Sequence, residues 1–233
     1  MPAFSVRYTA PKSISFAIPY GPNMAGRDFT SRYLQLWNGV NRGLKQLCEK
    51  ECWLFLGGVL EAVADPKAPH SLMADITTDG VHLDHRGYEL LGKAMASGLR
   101  GKLRKGQTAL MFGDSITAGY PFYEPVLMPG HGDPTHSYGH WLEKVLGITA
   151  VNMGVSGDTT YGILQRFRSD GSNADMAIFQ GGGNDAIERL LIEDPMQTAD
   201  KIVQNFEGMG SAASARKMSV ALVPLLPFDP EWG

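Results

Sequence analysis

The 233-residue sequence has few cysteines, no excess of basic charge and no long apolar run. Its two cysteines, Cys48 and Cys52, are too few for a disulfide framework and lie near apolar residues, so we expect free, mostly buried thiols. A formal net charge of −3 gives no electrostatic footprint for nucleic acid or for an anionic membrane. No apolar run approaches the length that spans a bilayer, so we expect no membrane insertion.

The N-terminal segment also lacks the features of a secretory signal peptide. Residues 1–9 alternate between polar and apolar side chains and contain no uninterrupted apolar region. The sequence therefore predicts a cytoplasmic protein, unless a leader was removed from it. The length fits one α/β domain with a sizeable core. The sequence does not fix the oligomeric state, and a homo-oligomer stays open.

Segments of strand type and helix type alternate along the chain. Apolar periodicity predicts helices over residues 29–49, 86–99, 138–146, 159–168 and 195–211, and strands over residues 13–18, 52–56, 108–112, 148–152, 175–180 and 219–226. A loop is expected from the glycines at 57–58 to about residue 78. The strands show little alternation, which is typical of strands buried on both faces of a parallel sheet. We therefore predict a parallel sheet covered by helices, with ligands at the carboxyl ends of its strands.

Polar turns follow three predicted strands, and a fourth polar segment precedes a helix. These segments are GDSITAG at 113–119, NMGVSGDT at 152–159, GGGND at 181–185 and DGVH at 79–82. A serine becomes a strong nucleophile when a base takes its proton and a third group orients that base. Ser115, His82 and Asp79 have the residue types for these three roles. The backbone N–H groups of Ser115 and Gly157 and the amide of Asn184 are candidate oxyanion donors.

The four segments together resemble the sequence blocks of the SGNH, or GDSL-type, hydrolase family. The resemblance includes GDSITAGY around Ser115, NMGVSGDTT around Gly157, GGGND around Asn184 and DGVHLDHRGYELLGKAM around His82. The second and third blocks look closest to the esterase, thioesterase and lysophospholipase branch. The resemblance implies a flavodoxin-like three-layer α/β/α sandwich with a mostly parallel five-stranded sheet. It also implies ester or thioester hydrolysis without a cofactor.

The family's site residues are carried over by position. In that correspondence Ser115 is the nucleophile, His82 is the base and Asp79 orients the base. Gly157 and Asn184 join the Ser115 N–H as oxyanion donors.

The order of the blocks departs from the family pattern. The Asp-x-x-His block lies near the C-terminus in the family, but here it precedes the other three. We therefore interpret residues 1–233 as one circularly permuted domain, in which residues 1–100 correspond to the family's C-terminal part, 101–107 are a linker and 108–233 correspond to its N-terminal part. Residues 13–18 and 219–226 both resemble the family's fourth strand. We expect one of them in the sheet and the other as an extra edge strand or a dimer contact.

For several residues near these blocks we expect structural rather than catalytic roles. Asp114 and Asp185 are expected to cap helices or to bond within loops, and Asp158 is expected to be a helix N-cap. His85 is a rival base to His82, but only His82 has an aspartate three residues before it within the family block. Asp84 is a candidate cap for the helix that follows.

Two loop clusters are candidate binding sites. The loop after the nucleophile turn carries Tyr120, Phe122, Tyr123 and Met128, and it either walls an acyl pocket or simply packs on the core. A second cluster matches no firm zinc spacing, so we expect no metal there. Its members are His131, Asp133, His136 and His140.

The expected activity is hydrolysis of small-molecule carboxylic esters, with short acyl or acetyl groups, through an acyl-enzyme and without cofactor or metal. A thioesterase, a lysophospholipase and an acyltransferase are the alternatives that use the same site. A non-catalytic module that binds an anion at the glycine-rich strand ends is the alternative outside enzymes.

Overall fold

The structure is a computed structural model that describes residues 27–77, 79–122, 133–190 and 192–228. Eight helices and seven strands lie in this described part of the chain. In chain order they are α1 (Arg27–Glu51), β1 (Leu54–Phe55), α2 (Gly58–Val63), β2 (Ala64–Asp65), β3 (Ala68–Leu72), α3 (His85–Leu99), β4 (Thr108–Gly113), α4 (Ser115–Ala118), α5 (Tyr138–Leu146), β5 (Thr149–Gly154), α6 (Thr160–Ser169), β6 (Met176–Phe179), α7 (Gly183–Arg189), α8 (Pro195–Ala215) and β7 (Ser219–Leu222).

Five of the strands form a single sheet in the order β1-β7-β6-β4-β5. Every neighbouring pair in it is parallel. Counted from β4 as the first strand, this is the order 2-1-3-4-5, which is typical of flavodoxin-like folds. The predicted α/β fold with a parallel five-stranded sheet is therefore confirmed.

Helices cover both faces of the sheet. The side chains of β4 alternate between two apolar cores: Leu110 and Phe112 face α1, α6 and α8, whereas Ala109 and Met111 face α2, α3 and α5. Burial on both faces explains why the strands read as continuous apolar runs. No helix in the described ranges combines the length and the apolar character needed to cross a membrane.

The residues after β7 pack along α1. The Asn41 side chain donates to Leu225 O (3.1 Å) and accepts from Leu225 N–H (2.8 Å). Phe228 N–H donates to the hydroxyl of Tyr33 at 3.0 Å, and the two rings lie 4.3 Å apart. The carboxyl end of the fourth strand position and the start of α1 are thus neighbours.

The structure corrects the sequence predictions at several points. The loop expected up to residue 78 contains α2, the antiparallel pair β2–β3 and a short 3₁₀ helix, Ala74–Ile76. These elements are at most six residues long, so they are too short to show a clear helical or strand periodicity. The helix α7 was not predicted, because its sequence begins inside a glycine-rich turn. Cys48 is buried as expected, but Cys52 is exposed at the turn after α1.

The two candidates for the fourth strand have different outcomes. Residues 219–222 form β7 and occupy the fourth position, beside β6. Residues 13–18 lie outside the described residues.

Trp141 is buried, whereas Trp37 and Trp53 are only partly buried against the core.

Candidate active site

Ser115 lies at the carboxyl end of the central strand β4. The strand ends at Gly113, and the carboxylate of Asp114 caps α4 by accepting from Ile116 N–H at 2.9 Å. Ser115 is therefore the first residue of a short helix and is 9% exposed. This strand-to-helix turn holds the serine Oγ at the sheet edge where ligands bind in parallel α/β sheets.

Asp79 and His82 form a tight turn next to this serine. One carboxylate oxygen of Asp79 accepts from the backbone N–H groups of Val81 (3.0 Å) and His82 (2.7 Å). Its other oxygen lies 2.6 Å from Nδ1 of His82, and Nε2 of His82 lies 3.1 Å from Ser115 Oγ. Both distances are in the hydrogen-bond range. Asp79, His82 and Ser115 thus form one continuous hydrogen-bonded chain.

The turn that carries His82 is fixed by its neighbours. The hydroxyl of Thr77 accepts from Gly80 N–H at 3.0 Å and donates to His82 O at 2.6 Å. Asp84 caps α3 by accepting from Gly87 N–H at 2.7 Å, as the sequence suggested. The histidine is therefore held between a closed turn and the start of a long helix, which limits where its ring can move.

Burial and hydrogen bonding perturb the two aspartates of the site in opposite directions. Burial tends to raise the pKa of Asp79, but hydrogen bonds from the His82 ring and from two backbone N–H groups outweigh it and hold the pKa below its usual value. Complete burial raises the pKa of Asp114 to about 6, against the hydrogen bonds from Ile116 N–H and Gln180. Asp79 is thus the carboxylate that stays ionised beside the histidine.

The candidate oxyanion donors lie on two further strand ends. Asn184 is in the first turn of α7, and its Nδ2 donates to Asp158 O at 2.8 Å. Because an amide nitrogen carries two hydrogens, one remains for a ligand. Gly157 has φ +80°, and no atom lies within 4 Å of where a Cβ would be. A side chain at position 157 would be strained and would cover an open approach to the backbone.

A cavity of about 180 Å³ opens beside Ser115. Its polar lining is His82, Asp114, Ser115, Gln180 and Asn184, and its apolar lining is Val81, Ile116, Ile187, Leu225, Leu226, Pro227 and Phe228. The cavity therefore joins three of the predicted site residues to an apolar wall. Gly157 is not part of the lining and is linked to it through Asp158, the next residue, which bonds to Asn184.

The candidate loop after the nucleophile is described only in part. The ring of Tyr120 lies 4.4 Å from that of His82, so this residue borders the site. Phe122 instead stacks on His136 at 4.6 Å. Tyr123 and Met128 lie outside the described residues.

The second histidine cluster is arranged around Asp133. Its carboxylate accepts from His136 N–H (2.5 Å) and lies 3.1 Å from the His136 ring. His140 packs edge-on against Trp141, and His131 lies outside the described residues. The rival base His85 is exposed, and its ring lies near His136. Only His82 of the two rival bases is hydrogen-bonded to Ser115.

The prediction for Asp158 was wrong, and that for Asp185 holds. Thr159, not Asp158, caps α6, with its hydroxyl 3.3 Å from Gly162 N–H. The carboxylate of Asp158, which is largely shielded from solvent, instead pairs with Arg166 at 2.7 Å. Asp185 accepts from the N–H and the hydroxyl of Thr160 at 2.8 and 2.7 Å.

Sequence reasoning missed Gln180 and Arg166. Gln180 directly follows β6 and lines the cavity, so a polar residue at a strand end was the signal that could have found it. Arg166 lies inside α6, away from any strand end, and its sequence context gives no such signal.

The parallel sheet covered by helices and the serine, histidine and aspartate at its edge define the class of this protein, a flavodoxin-like α/β protein with a serine-centred site. The model of the GDSL-like lipase/acylhydrolase family matches residues 111–233. This match covers more than half of the chain, and the chain belongs to that family, also known as the SGNH hydrolases. No curated protein matches the chain.

Several solved structures are similar to part of the chain. The SGNH-family esterase AlinE4 is 29% identical with a TM-score of 0.39, and the match covers 52% of this chain and 59% of that one. A catalytic mutant of Axe2, an acetylxylan esterase from Geobacillus stearothermophilus, is 22% identical with a TM-score of 0.37, over 52% and 60%. The psychrotrophic esterase EstA from Pseudoalteromonas sp. is 19% identical with a TM-score of 0.36, over 51% and 61%. The chain thus covers less than two thirds of each of these proteins.

Proposed function

We propose that this protein hydrolyses carboxylic esters with short acyl groups through an acyl-enzyme on Ser115. The observation that carries the proposal is the continuous chain from Asp79 through His82 to Ser115, with distances of 2.6 and 3.1 Å, at the mouth of an apolar cavity. A serine needs a base within hydrogen-bond reach and a group that orients that base. This chain supplies both.

The first step is the attack of Ser115 on the ester carbonyl. Asp79 accepts the Nδ1 proton of His82, which leaves Nε2 as the acceptor for the serine proton. As Oγ bonds to the carbonyl carbon, the proton moves to Nε2, and the ionised Asp79 stabilises the imidazolium. Nε2–H then protonates the alcohol oxygen, and the alcohol leaves as the acyl-enzyme forms.

The negative charge on the carbonyl oxygen is held by preorganised donors. The free hydrogen of Asn184 Nδ2 and the N–H groups of Ser115 and Gly157 are the proposed donors. Water then attacks the acyl-enzyme, with His82 as the base, and the acid is released. No step in this scheme requires a cofactor.

The size and lining of the cavity support a short acyl group. A cavity of roughly 150 Å³ accommodates a molecule the size of benzene. A volume of about 180 Å³ therefore suits an acyl chain of a few carbons. Ile187, Leu225 and Phe228 give this chain apolar contacts.

The function is tested with Ser115→Ala and a matched control. Ser115→Ala is expected to abolish hydrolysis of p-nitrophenyl acetate and butyrate and labelling by a fluorophosphonate probe. Ser169→Ala, on the exposed end of α6, should leave both unchanged. Wild-type rates in Ser115→Ala protein would rule out the proposal.

Substrate class is resolved by comparing acyl chains and acceptors. Turnover should be highest for p-nitrophenyl esters of short acids and should fall for chains of about eight carbons or more, which exceed the cavity. Thioester analogues of the same acids distinguish a thioesterase. Product analysis with added alcohols separates hydrolysis from acyl transfer.

We also propose that the chain is a circularly permuted single domain, with residues 101–107 joining the family's usual ends. The strand order supports this, because β1 lies at the fifth sheet position although it is the first of the described strands in the sequence. The contact between Phe228 and Tyr33 supports it too, since the family order would join the strand before 228 directly to the helix that contains 33.

The permutation is tested by rotating the sequence. A chain that runs from residue 105 to 233 and then from 1 to 104 restores the family order. It should unfold cooperatively and react with a fluorophosphonate at the wild-type rate. A control rotation cut between Ala177 and Ile178, inside β6, should not fold. Failure of the first rotation, with the wild type active, would contradict the permutation but not the proposed activity.

A further inference from the structure

Arg166 on α6 is bonded to the ends of two strands next to the site. Its Nη1 donates to Met153 O of β5 at 2.8 Å, and its Nη2 donates to Gly113 O of β4 at 3.1 Å. Gly113 lies two residues before the nucleophile. The guanidinium also lies 5.5 Å from the centre of the Phe112 ring. One side chain therefore spans the strands that carry the first two family blocks.

The remaining bond of Arg166 reaches the oxyanion loop. Its Nε donates to the carboxylate of Asp158 at 2.7 Å. The backbone oxygen of Asp158 accepts from Asn184 Nδ2 at 2.8 Å, and Asp158 directly follows Gly157. Asp158 is thus bonded to one proposed oxyanion donor and adjacent in sequence to another.

The Asp158 carboxylate occupies space that is open only because residue 162 is a glycine. A Cβ at Gly162 would lie 1.8 Å from Asp158 Oδ1, so any side chain there would displace the carboxylate. Burial raises the pKa of Asp158, and the hydrogen bond and charge of Arg166 act against that shift. The Asp158 side chain is only 13% exposed. Because an unpaired carboxylate is costly where little water reaches it, the arginine stabilises the ionised aspartate.

We propose that Arg166, acting through Asp158, is a positioning residue that holds the oxyanion donors in register with Ser115; this rests on the proposed function. Donors stabilise an oxyanion only when they lie about 2.7–3.1 Å from it. A planar guanidinium fixes three acceptors in one geometry, whereas a lysine ammonium is a point charge on a flexible stem. Replacement by lysine should keep the charge near Asp158 and lose the fixed spacing.

Arg216, the C-cap residue of α8, offers a control because its side chain contacts the other end of α6. Its Nη1 and Nη2 donate to Asp170 O (2.8 Å) and Phe167 O (2.9 Å), and its guanidinium lies 4.5 Å from the Phe167 ring centre. Like Arg166, it donates to backbone oxygens and lies over an aromatic ring, but its described contacts include no carboxylate and no site residue. Replacement of either arginine should therefore lower the stability of the protein. Only replacement of Arg166 should also misalign the oxyanion donors.

The test compares Arg166→Lys with Arg216→Lys in the full chain. For Arg166→Lys, kcat on p-nitrophenyl acetate should fall about 10- to 100-fold with KM within about twofold, because the lost interaction is made in the transition state. The affinity for a trifluoromethyl ketone, whose adduct with serine carries an oxyanion, should fall by the same factor. Arg216→Lys should lower Tm and leave both quantities unchanged.

A double-mutant cycle with Asn184→Ala separates alignment from a structural role. If Arg166 acts through the oxyanion donors, the double variant Arg166→Lys/Asn184→Ala should lose less kcat/KM, in log units, than the sum of the losses in the two single variants. Additive losses, or an unchanged ketone affinity in Arg166→Lys, would overturn the proposal. Asp158→Asn provides a second variant if Arg166→Lys does not fold, and it should show the same parallel loss. Failure of wild-type protein to react with a fluorophosphonate would instead reject the proposed function.

Discussion

Asp79→Asn is the substitution that tests the role of the histidine's partner with the least disturbance. The carboxylate oxygen that accepts from the N–H groups of Val81 and His82 can be replaced by the amide oxygen, so the turn should persist. The amide NH₂ then faces Nδ1 of His82, 2.6 Å from the present oxygen. A donor in that place favours the tautomer with the proton on Nε2.

The expected loss follows from that change of tautomer. With Nε2 protonated, His82 donates to Ser115 Oγ and cannot take its proton at the observed 3.1 Å. The corresponding replacement in a serine protease triad lowers kcat by about 10⁴ with the geometry kept. Asp79 is about one third exposed, so water can compete for Nδ1, and we expect a loss of about 10²–10⁴.

The assay is the rate of p-nitrophenyl acetate hydrolysis as a function of pH, together with a thermal unfolding curve. Asp79→Asn should keep a Tm close to that of the wild type, whereas Asp79→Ala should lose stability as well, because it removes the acceptor for the turn. Activity of Asp79→Asn within about threefold of the wild type would refute the assigned role of Asp79.

Three further predictions concern the residues around the nucleophile. Asn184→Ala should lower kcat on the order of 100-fold with little change in KM, and a loss below about threefold on p-nitrophenyl esters would exclude it as an oxyanion donor. Asp114→Asn keeps an acceptor for the α4 cap but cannot ionise. Because burial raises the pKa of Asp114 to about 6 in the folded protein, the wild type loses stability as pH rises through that value. The variant's relative stability in urea unfolding should therefore increase by up to about 3 kcal/mol from pH 4 to pH 8, and a pH-independent difference would contradict this. Ile187→Ala should shift the preferred p-nitrophenyl ester towards longer acyl chains without loss of kcat on acetate, and an unchanged chain-length profile would remove Ile187 from the acyl wall.

The sequence predicted the sheet and the contacts of the site residues for one physical reason. Parallel strands place their carboxyl ends at one edge, so polar turns after successive strands converge whatever their separation in the chain. Ser115 and Asn184 follow β4 and β6, and both line one cavity. The Asp79–His82 pair follows no strand of this sheet. Its contact with Ser115 was predicted from the residue types that a catalytic serine requires and from the family resemblance, not from the sheet.

The rest of the site could not be read from the sequence because it depends on long-range packing. Asp158 precedes a helix and has the residue type of an N-cap, but Thr159 is one residue nearer to α6 and takes that place. The carboxylate of Asp158 instead accepts from Arg166, which lies eight residues later, on α6. Arg166 in turn contacts backbone oxygens, which carry no residue-specific signal. The hydrogen bonds from Arg166 to these backbone oxygens can be predicted only when the relative positions of α6 and the two strand ends are known.

The cavity proposed to hold the acyl group is lined by residues that pack against α1, a helix that contains no site residue. Leu225 and Phe228 line the cavity, and both are held by α1, through Asn41 and Tyr33. In the order proposed for the family these residues would be joined to that helix by a short loop, whereas here the two segments meet through side-chain contacts. Packing of α1 must therefore supply the restraint that a covalent connection would otherwise give. Loosening it should alter the preference for the acyl group before it alters the reaction at Ser115, since the hydrogen-bonded chain to Asp79 is anchored on α3 and β4.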